Sequence, residues 1–242
     1  MSEEKIIQHS QNAVQLLKNR SIPVRKKIVN FLEEIVIIII AVSITLAFHN
    51  WNDLRHEREL ERNFLIGTRE DLLEFAENIQ SSVKGYQPTV DYYDTVWQQI
   101  NSHRINAAYI DEHSSALINT WYFEYDASRF EGFKSSGYLR LIRNEQLLRD
   151  IMGLYSVDIP FQRDADVIVY HQRMQSFEQY IGTKARIDSS GHFHVSALLN
   201  DPAVRYQIFY YRDYLQERQN QKAHLARKLL YLADEIDKEL KK

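Results

Sequence analysis

Residues 35–48 form an unbroken run of fourteen apolar or small residues, and this run restricts the fold more than any other feature of the chain. Ten of the fourteen are Ile, Val, Leu or Phe, and together they favour insertion into a bilayer by roughly 3–6 kcal/mol. As a helix the run rises only about 21 Å, which is less than the roughly 30 Å of a hydrocarbon core. Residues 28–32 and 49–51 supply the missing length. The sequence therefore predicts a transmembrane helix at residues 28–51.

Two other interpretations of the run are a signal peptide and a helix buried in a soluble protein. A signal peptide has its apolar core near the N-terminus and a small-residue cleavage site, whereas about thirty residues precede this run and LAFHNWND offers no such site. In a membrane anchor, Glu33 and Glu34 lie near one headgroup boundary, and Trp51 lies at the other, where aromatic residues are enriched. We expect the anchor to be formed by Ile35, Ile38, Val42, Leu46, Phe48 and Trp51.

Lysine and arginine residues beside the predicted span indicate its orientation. They are Lys18, Arg20, Arg25, Lys26 and Lys27 before it, and Arg55, Arg58 and Arg62 after it, among many acidic residues. Cytoplasmic flanks carry the excess of Lys and Arg. We therefore expect a single-pass protein of the cell membrane, with residues 1–27 as a short cytoplasmic segment and 52–242 as a periplasmic domain.

The composition narrows the fold and the chemistry of that domain. Only 7 Gly and 4 Pro are present in 242 residues, which favours long helices over turn-rich β folds. A net charge of -3 gives no reason to expect nucleic acid as a partner. The absence of cysteine excludes disulfides, thiolate catalysis and cysteine-ligated zinc.

Apolar residues recur at helical spacing directly after the span. They are Leu65, Leu72, Ala76, Ile79 and Val83. Gly85 and Pro88 predict a turn at the end of this helix. A second helix is expected at about 89–102, a connection at 103–110 and a short helix near 111–123.

The second half of the chain predicts two long helices. The first runs from Asn144 to about Ile181 with a break or kink at Pro160, and its seam is Val167, Tyr170, Met174, Phe177 and Ile181. The last begins at an N-cap, Asp201, with Pro202 in its first position, and a polar stretch at 216–224 interrupts its apolar spacing. The predicted architecture is all-α: one transmembrane helix continuing into an elongated antiparallel bundle of about four helices.

The segment SRFEGFKSSGYLRLIRN, residues 128–144, predicts a helix, a turn and the start of another helix. Phe130 and Phe133 anchor the short helix, and Gly137 ends it in a left-handed cap. Asn144 then caps the next helix. We interpret this segment as a structural turn, with a partner-docking turn as the alternative. Its docking residues would be Lys134, Ser135, Ser136, Gly137, Tyr138, Leu139, Ile142 and Asn144.

Together the span exit and this turn resemble a family of single-span membrane proteins common in Bacteroidota that carry a domain of unknown function. In that family a span ending in an Asn-Trp-Asn-like sequence precedes a helical domain with a Ser-Ser-Gly-x-Leu-x-x-Ile-x-Asn turn. The matching positions are Glu34, Asn50, Trp51, Asn52, Ser135, Ser136, Gly137, Leu139, Ile142, Asn144 and Leu148. The resemblance covers about residues 24–156 and departs at Phe48–His49, where smaller or aliphatic residues are expected. It implies membrane anchoring and a helical domain, but no activity.

No residue pattern in the chain predicts a catalytic, cofactor-binding or metal site. Lys134 directly before Ser135 does not supply the spacing of a Ser–Lys nucleophile pair, and the segment lacks a phosphate-loop frame. Residues 186–195 could form a short hairpin in which His192 and His194 share a face. A zinc site would need further ligands, and His103, His113 and His171 are candidates that nothing in the sequence connects.

The function that these features favour is a membrane-anchored, non-enzymatic scaffold or accessory subunit whose bundle binds a protein partner. Ala41, Ser43, Thr45 and Ala47 permit close helix packing, so a homo-oligomer is the other partner expected besides the lipid bilayer. The alternative is an extracytoplasmic small-ligand sensor with an aromatic-lined cavity between helices, for which no ligand is indicated. With only about thirty residues before the span, we expect no cytoplasmic effector domain.

Overall fold

The computed structural model describes residues 24–119, 124–169, 175–189, 191 and 193–242, and the side chains of all of these except 24–27 and 169. By its internal contacts the chain divides into two units, residues 1–60 and 61–242. The first unit lies in the region predicted to hold the short N-terminal segment and the span, of which residues 1–23 lie outside the described ranges. The second unit lies within the predicted domain 52–242.

The described ranges are almost entirely helical, which confirms the predicted all-α class. The α-helices are α1 (Val24–Ser102), α2 (Ala107–Glu112), α3 (Ser128–Ser135), α4 (Glu145–Gly153), α5 (Ile159–Val169), α6 (Gln175–Lys184) and α7 (Pro202–Leu240). Short 3-10 helices lie at Ser114–Leu117, Tyr138–Leu141 and Ser196–Leu198, and a π-helix at Leu154–Asp158. The strands β1 (Arg186–Ile187) and β2 (Phe193–His194) pair antiparallel, as the predicted hairpin requires.

Helix α1 passes through Gly85 and Pro88 without a turn, so the predicted turn and the separate helix at 89–102 are wrong. The buried residues Ile79, Tyr86 and Val90 stay on one face across this region, which keeps the helix in contact with the same interior. Pro88 is on the exposed side. The carbonyl that its missing N–H leaves without a donor is therefore open to water, which lowers the cost of the proline. The predicted connection at 103–110 is likewise shorter, since α2 begins at Ala107.

The helical run that begins at Glu145 also continues past its proline. The π-helix Leu154–Asp158 leads directly into α5, whose second residue is Pro160. Such a local change of hydrogen bonding lets a helix carry on where a proline would end it. Val167 is 40% exposed, so the seam predicted through it is wrong at that position. Phe177 and Ile181 are buried as predicted, while Tyr170 and Met174 lie outside the described residues.

The N-terminus of α7 forms as predicted. The Asp201 carboxylate accepts a hydrogen bond from the backbone N–H of Ala203 at 2.9 Å, and Pro202 occupies the first turn. Burial follows steps of three and four residues along α7, and this seam continues through the polar stretch at 216–224. Its buried members are Val204, Ile208, Tyr211, Leu215, Arg218, Lys222, Leu225, Leu229, Leu232 and Ile236.

Two hydrophobic cores lie within residues 61–242. The first contains Leu72 and Ile79 of α1, Ile151 of α4 and Leu229 and Ile236 of α7. The second contains Val96 and Ile100 of α1, Ile181 of α6 and Val204 and Ile208 of α7. Helix α1 enters the first core before the second, and α7 enters them in the reverse order, so the two helices run antiparallel. The predicted count of about four helices in the bundle stays a prediction.

Candidate functional site

The apolar segment of α1 is the most unusual surface in the described residues. Its most apolar 18-residue stretch is only 6% buried, and the helix is long and apolar enough to cross a membrane. Of the residues predicted to form the anchor, Val42, Leu46, Phe48 and Trp51 are exposed, and Ile35 and Ile38 are half-buried. Other exposed apolar residues on the same segment are Ile28, Val29, Leu32, Val36, Ile37, Ile39, Ile40 and Ile44. Contiguous apolar surface of this kind marks a site that lipid or another protein covers.

Polar and aromatic groups mark the C-terminal end of this segment. The rings of Phe48 and Trp51 lie 5.8 Å apart, and the Arg55 guanidinium lies 6.0 Å from the Trp51 ring centroid. His49 Nε2 lies 3.4 Å from a carboxylate oxygen of Asp53. Tryptophan is enriched at membrane–water interfaces because its ring is largely apolar and its N–H is polar. Trp51, with a cation beside its ring, fits such a position.

The Ser-Ser-Gly turn adopts the predicted local geometry. Gly137 has φ 71°, in the left-handed region. The Asn144 side chain accepts a hydrogen bond from the backbone N–H of Leu147 at 3.1 Å. The hydroxyls of Ser135 and Ser136 both donate to the carbonyl of Gly132, at 3.0 and 2.9 Å. These two serines therefore close the end of α3.

The apolar side chains of the turn face the first core. Ile142 is buried, Leu139 is half-buried, and the Phe133 ring stacks on Phe64 at a centroid distance of 3.9 Å. The Asn144 amide donates to Glu239 of α7 at 2.6 Å. Residues at the surface are Lys134, Ser135, Ser136, Gly137 and Tyr138, so this turn presents a mainly polar face outward.

The hairpin brings His194 to two carboxylates. His194 Nδ1 donates to Asp111 at 3.1 Å, and its Nε2 lies 3.7 Å from Asp188. Asp111 also accepts from the backbone N–H and the hydroxyl of Ser196, at 2.8 and 2.9 Å. Burial raises the pKa of Asp111, but the hydrogen bonds from Ser196 and His194 outweigh it and hold the pKa below its usual value. The cluster fastens the hairpin to α2.

A metal site does not assemble among the described residues, where no group of three or more His, Asp or Glu side chains could hold an ion. His103 and His113 do not join His194, and His171 and His192 lie outside the described residues. The described residues therefore do not support a zinc site at the hairpin.

Three charged side chains are buried together: Asp166, Arg218 and Lys222. The sequence analysis did not identify them, and we call them the buried ion cluster. Arg218 Nε and Nη2 donate to one carboxylate oxygen of Asp166 at 3.1 and 2.8 Å. Lys222 Nζ lies 2.7 Å from the other oxygen. The guanidinium also donates to the Gln162 carbonyl and to the Gln221 side chain, at 2.9 and 2.6 Å.

Among the three residues of the buried ion cluster, two cations share one carboxylate. Burial is the main cause that lowers the pKa of Lys222 to about 8, against the opposing effect of Asp166. The pKa of Tyr86 of α1 is raised, mainly by burial and to a smaller extent by the negative charge of Asp166. The signal in the sequence was the spacing of α7: Leu215, Arg218, Lys222 and Leu225 follow steps of three, four and three residues.

Comparison with known proteins adds no function to this geometry. No family model, no curated protein and no solved structure matches the chain.

The buried ion cluster predicts how stability depends on pH. The pKa of Lys222 is about 8 in the folded chain and about 10.4 when unfolded, so between these values the unfolded state binds more protons and stability rises with pH. We expect the free energy of unfolding to increase by about 1–3 kcal/mol from pH 8 to pH 10. Above pH 10 the free energy of unfolding should fall. Burial raises the pKa of Tyr155 to about 12 in the folded chain, so this tyrosine loses its proton at a lower pH in the unfolded chain than in the folded one. Denaturant titrations across this range measure the profile.

Two variants control this experiment. Lys222→Met leaves a balanced pair of Arg218 and Asp166, so it should be at least as stable as the parent at pH 7 and should lack the rise. Asp166→Asn removes the carboxylate that Arg218 and Lys222 share and should lose about 3–5 kcal/mol. An equal rise in Lys222→Met would show that another group causes it.

Proposed function

We propose that this protein is a single-pass membrane protein in which residues 28–51 span the bilayer and a helical bundle of about four helices, within residues 52–242, binds a protein partner. It would act as a non-enzymatic scaffold or accessory subunit of the cell membrane, with residues 1–27 cytoplasmic and the bundle periplasmic. The observation that carries the proposal is the exposed apolar surface of α1.

The size of that surface supports lipid as its solvent. Leaving an apolar side chain such as Ile or Val in water rather than burying it costs roughly 1.5–3 kcal/mol. Twelve exposed large apolar residues at 28–48 would cost more than the roughly 5–15 kcal/mol of net stability of a typical domain. The segment therefore needs an apolar environment, and its length of about 36 Å over 28–51 fits a bilayer.

Membrane extraction tests the anchor. Parent protein should stay in the membrane pellet through alkaline carbonate washing and enter solution only with detergent. Arginine at both Ile39 and Val42 adds about 5–7 kcal/mol of insertion cost at mid-span, so Ile39→Arg/Val42→Arg should shift the protein to the supernatant or to aggregates. Leu54→Arg is the matched control: Leu54 is a similarly exposed apolar residue of the same helix outside the span, and this variant should pellet like the parent. A parent released by carbonate would rule out the anchor.

A second exposed apolar surface supports a protein partner for the bundle. Val157 of the π-helix is 63% exposed, Phe161 of α5 is 61% exposed, and Ile168 of α5 is also exposed. Phe161 and Ile168 are seven residues apart and therefore share a helix face. Val157 and Phe161 border a groove of about 210 Å³ beside His224 of α7. We call Val157, Phe161 and Ile168 the apolar row; it offers more apolar surface than the turn at Lys134–Asn144.

Crosslinking in native membranes distinguishes the two candidate docking surfaces. The parent should give a crosslinked species larger than a monomer, and Val157→Glu/Phe161→Glu should remove it because charge opposes apolar contact. Ser136→Glu/Tyr138→Glu tests the turn and Tyr231→Glu serves as control, since Tyr231 is equally exposed but outside both surfaces; melting curves confirm that each variant is folded. Mass measurement of the species shows whether the partner is a second copy. A parent that stays monomeric with crosslinkers of several lengths would contradict the scaffold proposal.

A further inference from the structure

A cleft of about 440 Å³ lies between the end of α1 and the first turns of α7. Trp97, Tyr206 and Phe209 contribute aromatic residues to its lining, and Ile100 of the second core also lines it. The rings of Trp97 and Phe209 lie 5.1 Å apart and are inclined at 49°. A volume of this size accommodates a ligand of one or two fused rings.

The described polar lining of this cleft contains one cation and no acid. Arg205, His103 and Asn101 complete its lining, and none of the described lining residues is acidic. Within the described part of the chain, these three side chains make no hydrogen bond or ion pair. Three exposed side chains that can donate hydrogen bonds, and that have no partner among the described residues, thus lie beside an apolar surface.

The neighbouring cation is already neutralised. The Arg212 guanidinium lies 5.4 Å from the Trp97 ring centroid and 5.7 Å from that of Phe209. It donates to the Asp213 carboxylate at 2.5 Å and lies 3.9 Å from Asp94. Among the described residues that line the cleft, Arg205 is therefore the guanidinium left to pair with an anion from solution.

His103 occupies a backbone position that disfavours it. Its φ is 57°, and the hydrogen bonds from His103 N to Ile100 O and from Arg104 N to Gln99 O, at 3.3 and 3.2 Å, identify the left-handed end of a Schellman motif. Glycine is the usual residue there, because a side chain is strained in this conformation. Strain of this kind is often associated with function, and here it places an imidazole at the cleft.

We infer that this cleft binds a small planar organic anion, an aromatic carboxylate. The ring lies against Tyr206 and Phe209, and the carboxylate pairs with Arg205, whose planar guanidinium matches a carboxylate in two parallel hydrogen bonds. His103 and Asn101 donate to the remaining oxygen lone pairs. This site is independent of the anchor and of the apolar row.

The probe is 2-naphthoate, titrated into the full-length protein in lipid nanodiscs. The indole N–H signal of Trp97, assigned with Trp97→Phe, should shift saturably with a Kd of about 1 mM or below. Arg205→Gln should bind at least tenfold more weakly, and 2-naphthamide, which has the same rings and no charge, should bind the parent equally weakly. Arg149→Gln is the matched control, since Arg149 is an exposed arginine outside the cleft, and should bind like the parent. Comparison within identical nanodiscs removes the contribution of lipid partitioning.

His103→Gly separates a binding role from a structural one. Glycine relieves the left-handed strain, so this variant should melt at the same or a higher temperature than the parent while binding 2-naphthoate several-fold more weakly. A shift that does not saturate, equal binding of 2-naphthamide, or parent-like affinity in Arg205→Gln or His103→Gly would overturn the inference.

Discussion

Most of the large apolar side chains of residues 28–48 are exposed in the described chain, and this constraint determines the rest of the account. Helix α1 satisfies its own backbone hydrogen bonds, which is the condition for a segment to stand in hydrocarbon. The glutamates at 33 and 34 and the aromatic and charged groups around Trp51 limit the apolar surface at its two ends. The segment between them is about 24 Å long, and only with the flanking residues at 28–34 and at Trp51 does the proposed span reach the thickness of a bilayer core.

The second unit is organised differently, by an apolar seam with one charged interruption. Helix α7 belongs to both cores, and its seam carries Arg218 and Lys222 where apolar residues would be expected. Ion pairs of this kind rarely add stability over apolar residues of the same volume. The contacts do depend on register, because Asp166 of α5 lies opposite Arg218 and Lys222 of α7 and a slip of one helix along the other would separate these charges.

Helix caps and the left-handed glycine were predicted correctly more often than the residues that would be buried. The left-handed Gly137, the cap at Asn144 and the cap at Asp201 were predictable because each depends on a few neighbouring residues. The turn at Gly85–Pro88 was wrong because a proline on the exposed face of a long helix is tolerated when the apolar seam continues in phase. The prediction that Val167 lies in the buried seam was wrong. Hydropathy assigns the neighbouring Asp166 to the surface, whereas Arg218 and Lys222 of α7 pair with Asp166 in the interior. The resemblance to a membrane-protein family stays a prediction, since no family model matches.

The solvent around residues 28–51 can be measured directly, because a chain without cysteine accepts single nitroxide labels cleanly. Ile39→Cys and Glu57→Cys, each spin-labelled in bilayers, report collision rates with oxygen, which concentrates in lipid, and with a water-soluble nickel chelate. The account predicts that oxygen dominates at position 39 and the nickel chelate at position 57. Low collision rates with both reagents at position 39 would place it inside protein, and a high rate with the chelate would place it in water; either result would contradict a lipid-solvated anchor.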